Sequence, residues 1–399
     1  MNALGSWAAA IAVWGYATYQ FRAGPAGVAA LTAAAASPAL LFGAHVGVAV
    51  DRLTPRRALV LAYSVSAGLA AAMVLCRSLT ELASVAFLLG IFSTTGRAAA
   101  AALPPTVMDH DQLSRANALM GTSNSAGQVL GPLAAGATIA AFGFHAAFLF
   151  DALTYLVGVA CLVPIHGGPR AGHRSPVSWR EDFSAGIAVA RSVTAVRRLL
   201  IVSGVLTMTS GAFVVFEPLY TRRVLGRPPS QFALFEAAAG VGALVCGFVL
   251  ASTRRRWVTP RRVMAVAIAD GCACALFLGT RSVAAAYAGA VFWGVAGTLF
   301  AVGSTTLLQE ACATEFHGRL FGTRANVDGV GDNLGYLLAG SLGSVVGIRR
   351  AALSSAALPI GAAIIALVGL ASGGPRRRTR VPPSRTRAPT SKSRITGNG

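Results

Sequence analysis

Charge is what this sequence has little of. Of its 399 residues, 12% are Asp, Glu, Lys or Arg, against roughly 25% in a soluble domain. So few charges cannot cover the surface of a water-soluble protein this long. Lysine is nearly missing, Lys392 being the only one, and the acids number 14 against 34 basic residues. The six cysteines (Cys76, Cys161, Cys246, Cys272, Cys274 and Cys312) contain no CxxC pair and no Cys/His spacing suited to zinc. A metal site is therefore not expected, and the thiols read as small packing residues. There is no GxxxxGK[ST] loop, so no ATP site is evident. No Ser/His/Asp order is interpretable, so the chain is not expected to be an enzyme or to hold a cofactor. Short alternating strands are missing too, which removes a membrane barrel.

What is present is apolar, 54% of the chain. It comes in runs near 20 residues, the length that crosses a bilayer as a helix. We expect an all-α membrane protein with twelve spans, near 2–20, 26–49, 58–76, 82–106, 116–141, 145–165, 197–220, 231–251, 262–280, 283–308, 321–344 and 351–372. Residues 1–20 lack a basic leader region and a clear cleavage site, so they read as a first span rather than a signal peptide.

The net charge of +20 does not point to nucleic acid, because the arginines cluster between apolar runs. Most fall on one set of loops, among them Arg52, Arg56, Arg57, Arg254, Arg261 and Arg262. The positive-inside rule then puts both termini in the cytoplasm, with Arg222, Arg223 and Arg227 as an exception on the other side. The Ala- and Arg-rich text suits a GC-rich bacterial genome, hence a bacterial cytoplasmic membrane. The polar interval 166–196 joins the halves, and its later part suits an interfacial helix. The Pro-, Ser-, Thr- and Arg-rich tail 373–399 should be disordered, with anionic lipid headgroups as its partner.

The chain repeats itself. SRANALMGTSNSAGQVLGPLAAG from Ser114 aligns without gaps on GRLFGTRANVDGVGDNLGYLLAG from Gly318, placing Gly127 on Gly331, Gly131 on Gly335 and Gly136 on Gly340. Upstream, segments starting at Gly43 and Gly242 both end in Thr-Pro-Arg-Arg. Repeated apolar halves are the mark of a secondary transporter. The expected organisation is a six-helix bundle over 1–165, a linker over 166–196, a second bundle over 197–372 and the tail over 373–399. A monomer is expected.

Three stretches carry a family resemblance. Gly47-Val-Ala-Val-Asp51-Arg52, followed by Pro55-Arg56-Arg57, resembles the G-x-x-x-D-R signature with paired arginines between spans 2 and 3 of the major facilitator superfamily. The resemblance implies a conformational latch of Gly47, Asp51, Arg52, Arg56 and Arg57, with Asp51 against the positive end of span 11. The second half has Ala251 and Ser252 in place of the acid. Gly127, Gly131, Pro132 and Gly136 resemble the superfamily's span-5 G-x-x-x-G-P motif, typical of its exporters. Small residues one turn apart permit close helix contact, and Pro132 removes a backbone donor. The run from Gly96-Arg97 to Leu119, with Asp151, resembles the drug- and siderophore-export branch, which has macrolide-efflux and enterobactin-exporter-like members. Span 1 has no acid, so coupling through an acid there is excluded.

Ionisable groups inside apolar spans are costly and are by default functional candidates. Arg97, Asp151, Glu236, Asp270, Arg324, Asp328 and Asp332 form the candidate set for protons or substrate, with Asp270 and Asp328 ranked first as proton carriers. Glu217 is a further ionisable group in an apolar span, and for it and Glu236 the alternative is an outer-surface contact with Arg222 or Arg223. Arg324, Asp328 and Asp332 recur every four residues, on one helix face. The expected function is proton-coupled export of a small amphipathic drug, antibiotic or siderophore by alternating access. A nutrient importer of the same fold and a non-transporting membrane sensor or scaffold are the alternatives.

Overall fold

The structure, a computed structural model, describes residues 2–108, 110–165, 193–252, 257–311 and 317–372. Most of the expected linker and all of the expected tail lie outside the described residues. In hydrocarbon the backbone must satisfy its own hydrogen bonds, and the described residues form helices and turns without strands. The long helices are α1 (Asn2–Tyr19), α2 (Pro25–Arg52), α3 (Pro55–Ala72) and α4 (Leu79–Ala102). A short helical turn, Pro104–Val107, follows. The run His110–Leu162 is helical throughout but bends at Gly143, whose φ is +78°. Its arms, 110–142 and 144–162, are α5 and α6. Then come α7 (Thr194–Arg223), α8 (Pro229–Ser252), α9 (Pro260–Gly279), α10 (Val283–Ala311), α11 (His317–Val345) and α12 (Ile348–Ser372). Twelve segments thus occupy the twelve expected places.

Among the described residues, nine stretches are long and apolar enough to cross a membrane. Three other helices also place polar side chains on the internal cavity described below: Ser6 of α1, Ser123 of α5, and Arg324, Asp328 and Asp332 of α11. Apolar side chains point outward elsewhere, as in the exposed stripe Leu149, Leu153 and Leu156 on α6, where lipid is the solvent that suits them.

The duplicated Thr-Pro-Arg-Arg is a helix start. Thr54 Oγ1 accepts the Arg57 amide and Pro55 begins α3. Thr259 Oγ1 accepts the Arg262 amide and Pro260 begins α9. Threonine at the cap and proline at the first helical position both suit amides that have no intrahelical partner. Arg56 adds a tie of its own. Its Nε and Nη2 donate to the carbonyls of Leu162 and Val163 at 3.1 and 3.0 Å, holding the start of α3 to the end of α6.

The repeated glycines do the same two jobs in each half. Gly131 of α5 lies against α1, where an added methyl would stand 2.5 Å from Trp7 Cβ. Its counterpart, Gly335 of α11, lies against α7, 2.8 Å from the Ala212 nitrogen. Five residues later the contacts cross between the halves. A methyl at Gly136 would meet Ala233 Cβ of α8 at 3.0 Å, and one at Gly340 would meet Ala29 Cβ of α2 at 2.7 Å. Close backbone approach is what small residues give a membrane helix pair. The 204-residue offset continues into the turns. Gly143 and Gly347 have φ of +78° and +86°, and Arg22 and Gly226 have φ of +51° and +63°. Only Arg22 among these four carries a side chain into the left-handed region.

Buried side chains form three clusters. The largest joins both halves at the end carrying the α1–α2 and α7–α8 turns, from Tyr16, Val28 and Phe148 to Phe216, Tyr220 and Ala339. At the opposite end there are two separate clusters. One packs Val46, Val50, Leu59, Ala99 and Leu162 of the first six helices. The other packs Leu199, Leu206, Val263, Leu308 and Leu320 of the last six. Among the described residues, the halves are thus sealed together at one end and not joined by buried core at the other.

Candidate functional site

Between the halves lies a cavity of about 1330 Å³. It brings together Arg97, Glu236, Asp270, Arg324, Asp328 and Asp332, six of the seven charged candidates. Asp151 is not on its wall. It is 1% exposed on α6, neither carboxylate oxygen has a hydrogen-bond partner among the described residues, and a methyl added at Gly5 of α1 would stand 2.8 Å from its Oδ1.

The charges are segregated. The first six helices contribute Arg97 of α4, whose Nη2 donates to Thr94 Oγ1 at 3.2 Å. The group faces the interior, as an intramembrane guanidinium should, given about 2.5–3.5 kcal/mol for burying it in lipid. Its partner is a hydroxyl on its own helix, with no acid among the described residues. The last six helices contribute all four acids. On α11, Arg324 Nε lies 3.3 Å from Asp328 Oδ2, Arg324 Nη1 donates to Thr305 Oγ1 at 3.1 Å, and Ser203 Oγ donates to Asp328 Oδ1 at 2.7 Å. Asp328 is therefore well partnered. Asp332, one turn on, has no ion pair among the described residues.

The remaining acids lie on α7, α8 and α9. Asp270 of α9 is 2% exposed, and Cys274 Sγ, a weak donor, lies 3.9 Å from its Oδ2. Glu236 of α8 and Glu217 of α7 have their carboxyls within hydrogen-bonding reach. Glu217 is 1% exposed and its Oε1 is unpartnered among the described residues. Sequence reasoning paired Glu217 with Arg222 or Arg223, but those guanidiniums go elsewhere. Arg222 Nη1 donates to the Thr18 carbonyl and Arg223 Nη2 to the Ala23 carbonyl, both across the halves at the sealed end.

Sequence reasoning also passed over the aromatic lining: Trp7, Trp14, Tyr63, Tyr155, Trp293 and Tyr336. An aromatic every seven residues in α1 was the available signal, since Trp7 and Trp14 share a helix face. Of the expected latch, Arg56 is accounted for above, and Gly47, Asp51 and Arg52 lie in the last turns of α2. Their side-chain surroundings lie outside the described residues, as does that of Pro132. Among the described residues no group of His, Cys, Asp and Glu is placed to hold a metal.

The sequence matches the family described as Major Facilitator Superfamily over residues 1–332. The chain belongs to the Major Facilitator Superfamily. Within the superfamily it is 23% identical over 386 residues to the uncharacterized MFS-type transporter YfiS of Bacillus subtilis (strain 168), covering 92% of this chain and 90% of that one. A bacterial homolog of the human lysosomal transporter Spinster, solved inward-facing and occupied, superposes with a TM-score of 0.74 at 14% identity, covering 93% and 95% of the two chains. A mutant of the nucleoside transporter NupG gives 0.74 at 12% identity, covering 92% and 96%. At these identities the likeness carries the fold. The superfamily fold is a set of twelve helices, as found here, and the chain is a multi-pass membrane transporter of this type.

Proposed function

We propose that the chain exports a small amphipathic compound, of drug, antibiotic or siderophore type, against its gradient at the expense of the proton gradient. The observation that carries this reading is the cavity: charged, about 1330 Å³ in volume, and bounded by one shared core at one end and two separate cores at the other. Two halves that seal at one end around a site can rock to seal at the other. The first half is 1–165 and the second 197–372, joined by 166–196. The arginine bias puts the unjoined end and both termini in the cytoplasm, so the state described faces inward. The resemblance of the Arg97 and Gly127–Gly136 regions to exporters supports the direction.

Protons drive such a cycle only if protonation changes the relative stability of the two states. A carboxyl on the cavity wall does this, because its charged form demands water or a cation and its neutral form tolerates a closed apolar contact. We assign coupling to Asp270 with Asp332 and Glu236, and give Asp328 the structural role of holding Arg324. Asp51 and its arginines latch the cytoplasmic end when it closes. The test is efflux from loaded, energised bacterial cells. The reading requires efflux that a protonophore abolishes and that Asp270→Asn impairs at equal membrane abundance. Accumulation instead of efflux would make it an importer. Loss of signalling on deleting 373–399 with no flux of any compound would make it a scaffold.

A further inference from the structure

All four acids on the cavity wall stand on the last six helices, with only Asp328 paired to a base there, Arg324, and this carries the proposed transport reading to a substrate class. Arg97 on α4 is the cation of one wall, and among the described residues it meets only a hydroxyl. Across the cavity the acids of α8 and α9 meet no basic side chain among the described residues. Glu236 faces the cavity, and Glu217 stands behind it, fully enclosed, with one oxygen unpartnered. Asp270 of α9 lines the same cavity, with Cys274 Sγ 3.9 Å from its Oδ2. A buried polar atom without a partner is uncommon in a native protein. Two carboxyls turned towards one another without a cation need one. Trp7 and Trp14 of α1 and Trp293 of α10 line the same space.

We propose that the cavity takes an amphipathic zwitterion: a protonated amine at Glu236, backed by Glu217, a carboxylate at Arg97, and an aromatic body between the tryptophans. The guanidinium offers a planar fork that matches a carboxylate in two parallel hydrogen bonds. The amine supplies the cation that the acidic wall lacks, and its hydrogens give the carboxyl oxygens donors. The tryptophan faces take the ring and favour a nearby cation. A molecule with only one of the two charges leaves the other wall uncompensated. It forfeits a charge-assisted contact of about 1.5–3 kcal/mol, which is on the order of tenfold or more in affinity.

The inference rests on the transport reading only for its consequence, and binding tests it alone. Three matched probes are titrated into the purified full-length protein, and dissociation constants are taken from the rise in thermal unfolding midpoint. They are naphthylalanine (zwitterion), naphthylethylamine (cation) and naphthylpropionate (anion). The proposal expects the zwitterion to bind at least roughly tenfold tighter than either single charge. Arg97→Gln should bring the zwitterion down to the level of the amine, with Arg97→Lys recovering part of the difference. Glu236→Gln should weaken both amine-bearing probes and spare the anion. The wild-type ranking stands even if a variant fails to fold. Equal binding of all three, preference for the anion, or no binding by any of them overturns the proposal. Protonophore-sensitive efflux of any other compound would then leave the transporter reading intact, so the two failures are distinguishable.

Discussion

Arg222 of α7 donates to the backbone carbonyl of Thr18 in the last turn of α1, and its guanidinium lies 5.8 Å from the Tyr19 ring centroid. One side chain of the second half thus finishes a helix of the first. The last carbonyls of a helix have no intrahelical donor and carry the negative end of its dipole, so an arginine suits them. Tyr19 returns the contact, its hydroxyl donating to the Arg227 carbonyl at 2.8 Å. These arginines broke the charge bias in the sequence because they clasp the halves instead of facing cytoplasmic phosphates. Arg222→Gln should loosen the sealed end. The expected outcome is higher accessibility of a cysteine placed at Tyr16 to an impermeant thiol reagent from the α1–α2 side, with unchanged protein yield. Unchanged labelling would mean that the apolar core alone seals that end.

The paired glycines separate folding from switching. Gly131 and Gly335 pack within their own halves, so Val at either should lower folded yield. Gly136 and Gly340 pack across the halves at the sealed end. Gly340→Val should leave each half folded and hold that end ajar, because Ala29 belongs to the other half. Overpacking of this kind costs about 1–3 kcal/mol, enough to move a two-state population by about fivefold to a hundredfold. Yield by fluorescence-detected size exclusion and transport rate together check this. Gly335→Val should lose both, whereas Gly340→Val should lose transport with yield kept.

Arg22 sits at φ +51° where the repeat has Gly226 at +63°. A side chain there is strained, and glycine is not. Arg22→Gly should stabilise the protein by about 1 kcal/mol, read as a higher thermal unfolding midpoint. Gly226→Ala should lower it. A fall on Arg22→Gly would show that the Arg22 side chain contributes more than its backbone strain costs.

The Arg324–Asp328 pair is half-buried at 14% and 25% side-chain exposure. Removing one member leaves the other charged and facing the cavity, so Asp328→Asn and Arg324→Gln should each cost about 1–2 kcal/mol. The double change should recover much of the loss, though Ser203 keeps its contact only if Asn accepts it. Single variants that fold as well as the wild type would return Asp328 to the candidate proton carriers.

The fold was largely legible in the sequence, since length and apolarity determine a bilayer-spanning helix. Even so, α11 was recognisable more by position and repeat than by apolarity, because its cavity face carries Arg324, Asp328 and Asp332. The repeat alignment gave the glycine contacts their places, but not that Gly131 packs inward while Gly136 crosses the halves, which depends on helix rotation. Thr54 and Thr259 look like loop residues next to arginines, and only backbone geometry makes them caps. Arg97 and the α11 triplet were visible because a charge in an apolar run stands out. The Glu217–Glu236 contact was not, because it joins two helices whose relative depth the sequence leaves open. Asp151 stood out in the sequence as strongly as Asp270, yet it lies off the cavity wall.

The account turns on the two ends opening in alternation, and paired spin labels test that directly. In a cysteine-free background, one pair is placed at Gln20 and Pro228 across the sealed end, and another at Leu53 and Ser252 across the opposite end. Distance distributions are measured by pulsed electron resonance at several pH values and with bound substrate. The account predicts reciprocal change: conditions that shorten the Leu53–Ser252 distance lengthen the Gln20–Pro228 distance. Distances that stay fixed under all conditions, or that grow and shrink together, would contradict it.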